Sequence, residues 1–253
     1  MPFVNIQGKE TYYLDNGFMT DQTSIIFVHG AGGTVKNWTY QLRGIDGYNL
    51  IALDLPGHGN SEGSVSEFIS VYSEFIRNFA QTLGIRQYVI AGHSMGGAIA
   101  MELALTYPEA LKGLIIIGSG ARLRVNQYTL ETLSKGEHPI ENVKYFYSNK
   151  VSDLVLKQAE EEMKTVPTRV FLADFIACNG FSIMDRIKSI NLPTLVICGE
   201  DDQMTPIKYS QYLAHELSQS TNSIIKEAGH MTMLEQPDSV NKAIQDFMDV
   251  SII

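Results

Sequence analysis

The chain is expected to form an α/β fold, a mostly parallel central sheet flanked by helices. Three features of the sequence point there. Short β-branched runs alternate with helical patterns through the first half. The runs are apolar throughout rather than alternating, as strands covered on both faces are. Turn-rich and glycine-rich loops follow them.

Taken in order, residues 24–28, 49–53 and 88–91 read as buried strands. Between the last two, Phe68, Tyr72, Phe75, Ile76, Phe79 and Leu83 make one helical stripe. A capping-box-like Ser64-x-x-Glu67 opens it and Gly84 closes it. Residues 113–118 form another buried run. From about Ala121 to Lys188 the rhythm breaks, and the chain becomes richer in charge and helix formers. Residues 160–164 and 170–176 read as helices separated by Pro167. Strand-like sequence returns at 195–197 and 223–226, and a final amphipathic helix begins near Pro237. Residues 121–188 are thus expected as a helical insertion in a sheet core made of residues 1–120 and 189–253.

With 253 residues the chain is long enough for a single large domain. Its net charge of −9 argues against general affinity for nucleic acid or an anionic membrane, both of which need clustered Lys and Arg. No stretch of about eighteen apolar residues occurs, so no membrane span is expected. Met1-Pro2-Phe3-Val4-Asn5 has neither a basic n-region nor an apolar h-region, and no signal peptide is expected. The two cysteines, Cys178 and Cys198, form neither a disulfide framework nor a metal-ligand spacing. Cys198 is expected as a buried free thiol in a strand, and the chain as cytoplasmic, with no metal or cofactor. The oligomeric state is left open.

Gly92-His93-Ser94-Met95-Gly96 follows the run at 88–91 and precedes a helix-compatible stretch at 98–104. A serine on a sharp strand-to-helix turn takes strained backbone angles, and its neighbours two before and two after must lack side chains for the chain to close. At a helix N-terminus the free N–H groups favour a developing oxyanion. Ser94 is therefore the expected nucleophile; a chance pentapeptide in a chain of 21 glycines is the alternative.

Val28-His29-Gly30-Ala31-Gly32-Gly33 directly follows the first buried run. Such a loop can aim a backbone N–H at the serine, with Ala31 the expected donor, paired with Met95 N–H. A phosphate-binding loop is the rival, but neither a Gly-Lys-Ser/Thr ending nor a G-x-G-x-x-G fingerprint is present. His29 is expected to be structural. His58, flanked by glycines in residues 54–61, is expected to stabilise its turn.

A serine hydroxyl needs a base within reach, itself oriented by a carboxylate. Downstream of Ser94 stand His138, His215 and His230. His138 precedes Pro139 in the insertion, and His215 lies on a helix-like stretch with a solvated face. His230, in a loop after a strand at the expected carboxyl end of the sheet, is the expected base. The acid comes from Gly199-Glu200-Asp201-Asp202-Gln203-Met204-Thr205-Pro206, where spacing alone leaves Asp201 and Asp202 open.

Together, residues 29–33, 54–61, 92–97, 199–206 and 229–236 resemble the α/β-hydrolase superfamily, in the branch that carries esterases, lactonases and carbon–carbon bond hydrolases. The resemblance covers nearly the whole chain. It implies the order Ser, acid, His and an acid loop of the form Gly-x-x-Asp-x-x-x-Pro, which selects Asp202. It also implies that residues 121–188 are a helical cap that shapes the acyl pocket. Serine at the elbow separates the chain from the dehalogenase and epoxide hydrolase branches, which carry Asp there. Carbon–carbon hydrolases tend to have Trp soon after the histidine and Gly-Pro-Gly in the oxyanion loop. Met231 and Met233 follow His230 here, and Gly32-Gly33-Thr34 replaces the proline pattern. The expected activity is cleavage of small or medium carboxylic esters, a small-molecule substrate. Enol-lactone or vinylogous diketone cleavage, a monoacylglycerol lipase, a non-catalytic receptor and a peroxidase-like side activity are the rivals. The methionines beside His230 are expected either to line an apolar acyl pocket or to pack in the core, and Trp38 to support the oxyanion loop without touching ligand.

Overall fold

The structure, a computed structural model, describes residues 2–17 and 22–252. Met1, part of the segment read for a signal peptide, and Ile253, the expected end of the core, lie outside the described residues. The elements run β1 (Phe3–Ile6), β2 (Lys9–Asp15), β3 (Ser24–Val28), α1 (Gln41–Gly44), β4 (Asn49–Leu53), α2 (Ile69–Thr82), β5 (Tyr88–His93), α3 (Met95–Thr106) and β6 (Leu111–Ile117). There follow α4 (Gln127–Ser134), α5 (Asp153–Thr165), α6 (Thr168–Gly180), β7 (Thr194–Gly199), α7 (Ile207–Glu216), β8 (Ser220–Ile225), α8 (Thr232–Glu235) and α9 (Pro237–Ser251).

The apolar runs become the middle of one eight-stranded sheet, ordered β1-β2-β4-β3-β5-β6-β7-β8. From β4 to β8 every pairing is parallel, while β1/β2 and β2/β4 are antiparallel. All residues of β3, β4, β5 and β7 are buried. The missing alternation has a simple cause, because each face meets its own helices. Ile26 and Val28 of β3 point into a core shared with Tyr72, Ile76 and Phe79 of α2. Ile25 and Phe27 point the other way, toward Val240, Ile244 and Phe247 of α9. Phe79, Tyr72, Ile76 and Val240 are each 1 % exposed or less, so each face is dry.

The β1–β2 hairpin goes beyond the sequence reading. Its residues are mostly half-buried or exposed, so no continuous apolar run marks it. The capping box at Ser64-x-x-Glu67 does not form. Helix α2 starts later, with Phe68 as N-cap and no side-chain cap bond. Ser66 instead closes a local turn, its hydroxyl accepting from Phe68 N–H at 3.1 Å, while Tyr72 Oη takes Ser66 N–H at 2.9 Å. Gly84 closes the helix at φ +74°.

Between β6 and β7 the chain forms α4, α5, α6 and a 3₁₀ stretch at Ile140–Phe146, helices that suggest a cap. They share their own apolar cluster, Leu133, Val143, Tyr147, Met163 and Phe171, against which Met231 packs. Pro167 separates α5 from α6 and serves as N-cap of the latter. Among the described residues no helix is long and apolar enough to cross a membrane.

Candidate active site

Open α/β sheets offer a crevice at the carboxyl ends of their strands, where the strand order reverses. Here β4 lies on one side of β3 and β5 on the other. The loops after β3, β5, β7 and β8 carry residues 29–33, Ser94, Asp202 and His230, so the fold delivers all four segments to one end.

Ser94 joins β5 to α3 at φ 53°, ψ −113°, a strained conformation for a side-chain-bearing residue. The elbow is held from both sides: Ser94 N–H donates to Ile117 O at 2.9 Å, and Ser119 Oγ donates to Ser94 O at 2.8 Å. The flanking glycines are a steric requirement. A Cβ on Gly92 would lie 2.0 Å from Gly96 O, and one on Gly96 would lie 2.2 Å from Val28 O. As the first residue of α3, Met95 has no intrahelical acceptor for its N–H.

The loop after β3 lies directly against the serine, since a Cβ on Gly30 would be 3.2 Å from Ser94 Cβ. Gly33 N–H donates to Gly30 O at 3.0 Å and closes a turn. Gly32, at φ +64°, gives it type II character. Gly32 N–H donates to Asp174 Oδ2 at 2.8 Å. Among the described residues Ala31 N–H meets no protein acceptor.

Asp202 and His230 are brought together. Nδ1–H of His230 donates to Asp202 Oδ2 at 2.9 Å, and Thr205 Oγ1–H donates to the same oxygen at 2.8 Å. Asp202 Oδ1 accepts from Met204 N–H at 2.9 Å and Thr205 N–H at 2.8 Å. Burial pushes this carboxyl up, but His230 and the Thr205 bonds more than offset it and bring its pKa to about 2. The neighbouring carboxylate, Asp201, is not joined to the histidine; its backbone N–H ties the acid loop to Ala228 O at 2.9 Å. His93 sits behind, its ring 4.7 Å from that of His230, and its Nε2–H donates to His230 O at 3.0 Å. Burial, then the neighbouring His230, lower its pKa to about 3, so His93 is a neutral prop.

Ser94 and His230 line one cavity of about 200 Å³, with Ala31 and, from the segment between β6 and β7, Phe146, Met163, Val166, Phe171 and Phe175. No hydrogen bond joins Ser94 Oγ to His230 Nε2 in this arrangement; such bonds commonly tighten only with substrate in place. Met231 and Met204 line the cavity. Met233 does not, being fully buried in the core beneath α9, so of the two methionines after His230 one lines the cavity and the other packs in the core. Trp38 is buried against Phe27, ring centroids 5.0 Å apart, and off the cavity wall.

The other histidines separate cleanly. His29 is buried; its Nδ1–H donates to Gly30 O at 2.7 Å and its Nε2 accepts from Leu55 N–H at 3.1 Å, so it is neutral and braces the loop. His58 meets Pro56 O at 3.1 Å and Asp174 Oδ2 at 2.8 Å. Its reach beyond its own turn is more than the sequence reading assigned. His138 bonds Val166 O at 2.8 Å within the segment between β6 and β7, and His215 is largely exposed. Cys178 and Cys198 are both free and buried. Among the described residues no group of three or more His, Cys, Asp or Glu is placed to hold a metal ion.

The sequence reading missed His93, Ser119, Thr205, Asp174 and Glu235. His93 and Thr205 lie inside motifs whose other positions drew the attention. Asp174 did carry a signal: a lone carboxylate in the apolar helix run of residues 170–176 must find donors once buried.

Residues 23–237 match the family model described as the alpha/beta hydrolase fold. A 2-hydroxy-6-oxononadienedioate/2-hydroxy-6-oxononatrienedioate hydrolase of Paraburkholderia phymatum is 27% identical, over 94% of this chain and 90% of that one. A solved thermophilic esterase is 29% identical with a TM-score of 0.86, covering 98% of this chain and 96% of the other. The enol-lactonase of Burkholderia xenovorans LB400 superposes with a TM-score of 0.90 over 98% of this chain and all of that one. At 19% identity this last likeness speaks for the fold alone. The chain belongs to the α/β-hydrolase family of enzymes.

Proposed function

We propose that this hydrolase is a serine carboxylesterase for small or medium acyl esters, with residues 121–188 acting as its cap. The observation that carries the reading is a strained Ser94 facing the same cavity as a His230 already oriented by Asp202. His230 Nε2 takes the Ser94 proton as Oγ attacks the ester carbonyl. Ala31 N–H and Met95 N–H receive the oxyanion. The carbon–oxygen bond breaks, the alcohol leaves with the proton from His230, and water activated by the same imidazole releases the acid. Asp202, held ionised well below neutral pH, fixes the Nδ1–H tautomer and offsets the imidazolium charge.

A cavity of about 200 Å³ lies below the range of about 300–1,000 Å³ common for drug-sized ligands, which favours short acyl groups. Its wall of Phe171, Phe175, Met163, Met204 and Met231 suits an apolar chain. A second reading, cleavage of a vinylogous diketone, draws support from the likeness to the Paraburkholderia hydrolase. A diacid substrate, however, would meet Lys36 with Glu162 on the same wall, a charge pair with little net attraction for it.

The test is turnover of p-nitrophenyl esters from acetate to octanoate alongside a vinylogous diketone. Short esters are expected to be the better substrates, and Ser94→Ala to lower kcat on the order of 10⁵-fold or more. Undiminished turnover by Ser94→Ala would overturn the reading, and preference for the diketone would replace the ester.

A further inference from the structure

The carboxylate of Asp174 has no place in the chemistry above, yet it is fully buried and accepts from three segments. Oδ2 takes Gly32 N–H and His58 Nε2–H, both at 2.8 Å, and Oδ1 takes Tyr72 O–H at 2.8 Å. The donors stand 142, 116 and 102 residues away along the chain. Isolated in a dry interior such a carboxylate would be strongly disfavoured. His58 is the partner that offsets this burial, at 2.8 Å from Oδ2. Both its ring nitrogens face oxygen atoms, Pro56 O and Asp174 Oδ2, an arrangement that favours the protonated ring. Burial works against the charge, but the Asp174 bond and charge, Pro56 O and Asp54 hold the His58 pKa above its ordinary value.

Anchoring α6 to the core would need only the His58 and Tyr72 contacts. The third contact has a different consequence. Gly30 to Gly33 is a turn whose central peptide joins Ala31 to Gly32, and types I and II differ by a flip of that peptide. With Gly32 N–H aimed at a carboxylate, a flip would turn Ala31 O onto a negative charge. At the other end of the turn Gly30 O is gripped by His29 Nδ1–H at 2.7 Å and Gly33 N–H at 3.0 Å. Ala31 N–H lies between these fixed points, in a residue that lines the same cavity as Ser94.

We propose that Asp174 is a positioning residue that locks the Gly30–Gly33 turn through Gly32 N–H and so aims Ala31 N–H at the oxyanion, letting a residue of the cap helices set the catalytic competence of the core. The assignment rests on the ester reading, in which Ala31 is an oxyanion donor. The cap would then do more than wall the pocket, because a cap shift at α6 loosens the oxyanion loop directly.

The test compares wild type, Asp174→Asn, Tyr72→Phe and Ser94→Ala on p-nitrophenyl butyrate, with active sites counted by a phosphonate. Asp174→Asn presents one acceptor oxygen where three donors converge. Its kcat per titrated site is expected to fall about 10-fold or more, the smaller part of the 10²–10³-fold that loss of one oxyanion donor costs. KM should stay within about threefold, as expected for an interaction made only in the transition state. Affinity for a trifluoromethyl ketone, whose hemiketal oxyanion occupies the same hole, should weaken by the factor lost in kcat/KM. Tyr72→Phe leaves the Gly32 bond in place and should lower thermal stability with kcat kept. Wild-type kcat per site in Asp174→Asn, or an equal loss in Tyr72→Phe, overturns the proposal while Ser94→Ala remains dead. An active Ser94→Ala would instead sink the ester reading itself. If Asp174→Asn does not fold, Asp174→Glu keeps the charge beside His58 and displaces the acceptor. The same fall in kcat is then expected, and wild-type kcat refutes the assignment.

Discussion

Asp202 shows how one side chain links stability to chemistry. Four hydrogen bonds and the adjacent imidazole favour its ionised form, against the cost of burying it. Its folded pKa of about 2 lies below the ordinary carboxylate value of 3.8. The sign follows: this carboxylate stabilises the fold above pH 4, and the contribution is lost as pH falls from about 4 toward 2. The shift corresponds to about 2 kcal/mol. Asp202→Asn should remove that slope from a denaturation series between pH 5 and 2. It should also lower kcat on the order of 10³–10⁴-fold, because an amide N–H facing His230 Nδ1 imposes the wrong tautomer. An unchanged kcat would mean that His230 is oriented by something other than Asp202.

At the scale of elements, the elbow between β5 and α3 depends on what its glycines leave out. Gly96 has Val28 O where a Cβ would stand, at 2.2 Å, whereas Gly84 at the end of α2 has open space and only its φ of +74° to protect. The two substitutions should therefore separate. Gly96→Ala is expected to cost about 3 kcal/mol by overpacking rigid backbone, and Gly84→Ala about 1–2 kcal/mol of backbone strain. Urea denaturation of both variants measures this, and equal losses would mean that β3 yields at Val28. The same contrast explains what the sequence discloses about elements. Strands covered on both faces announce themselves as apolar runs, so β3 to β7 are readable. The β1–β2 hairpin, with Lys9, Glu10 and Asp15 on exposed positions, carries no such mark. The expected cap at Ser64 does not form because α2 begins only at Ile69, after a local turn closed by Ser66, a choice made by local geometry that spacing does not encode.

Over the whole molecule, the helices between β6 and β7 touch both arms of the site. One attachment is Asp174, which holds the Gly30–Gly33 turn through Gly32 N–H. The other is Glu235, whose Oε1 accepts from Gly229 N–H at 2.7 Å and whose Oε2 accepts from Ser148 N–H at 2.8 Å. Met231 N–H, next to His230, donates to Phe146 O at 2.8 Å. Ser94 and His230 could be singled out as candidates because each sits in a local motif with its own glycine, whereas spacing could not tell Asp202 from Asp201 and only the family resemblance selected it. The lone carboxylate of Asp174 signalled only that it needed donors, and neither its partner Gly32 nor Glu235's partner Ser148, 142 and 87 residues away, could be named before the chain was folded. Both carboxylates grip backbone N–H groups of a site loop, so the cap helices and the loops they touch should move as one unit. Glu235→Gln tests this at the second attachment. Its amide can accept through only one atom, so either Gly229 or Ser148 loses its partner. Amide exchange should then accelerate together in peptides covering residues 146–148 and 228–231, with kcat/KM for short esters falling several-fold and global stability changed by only about 1 kcal/mol. Faster exchange in the cap segment alone, with kcat/KM unchanged, would show that the His230 loop holds its geometry without the cap.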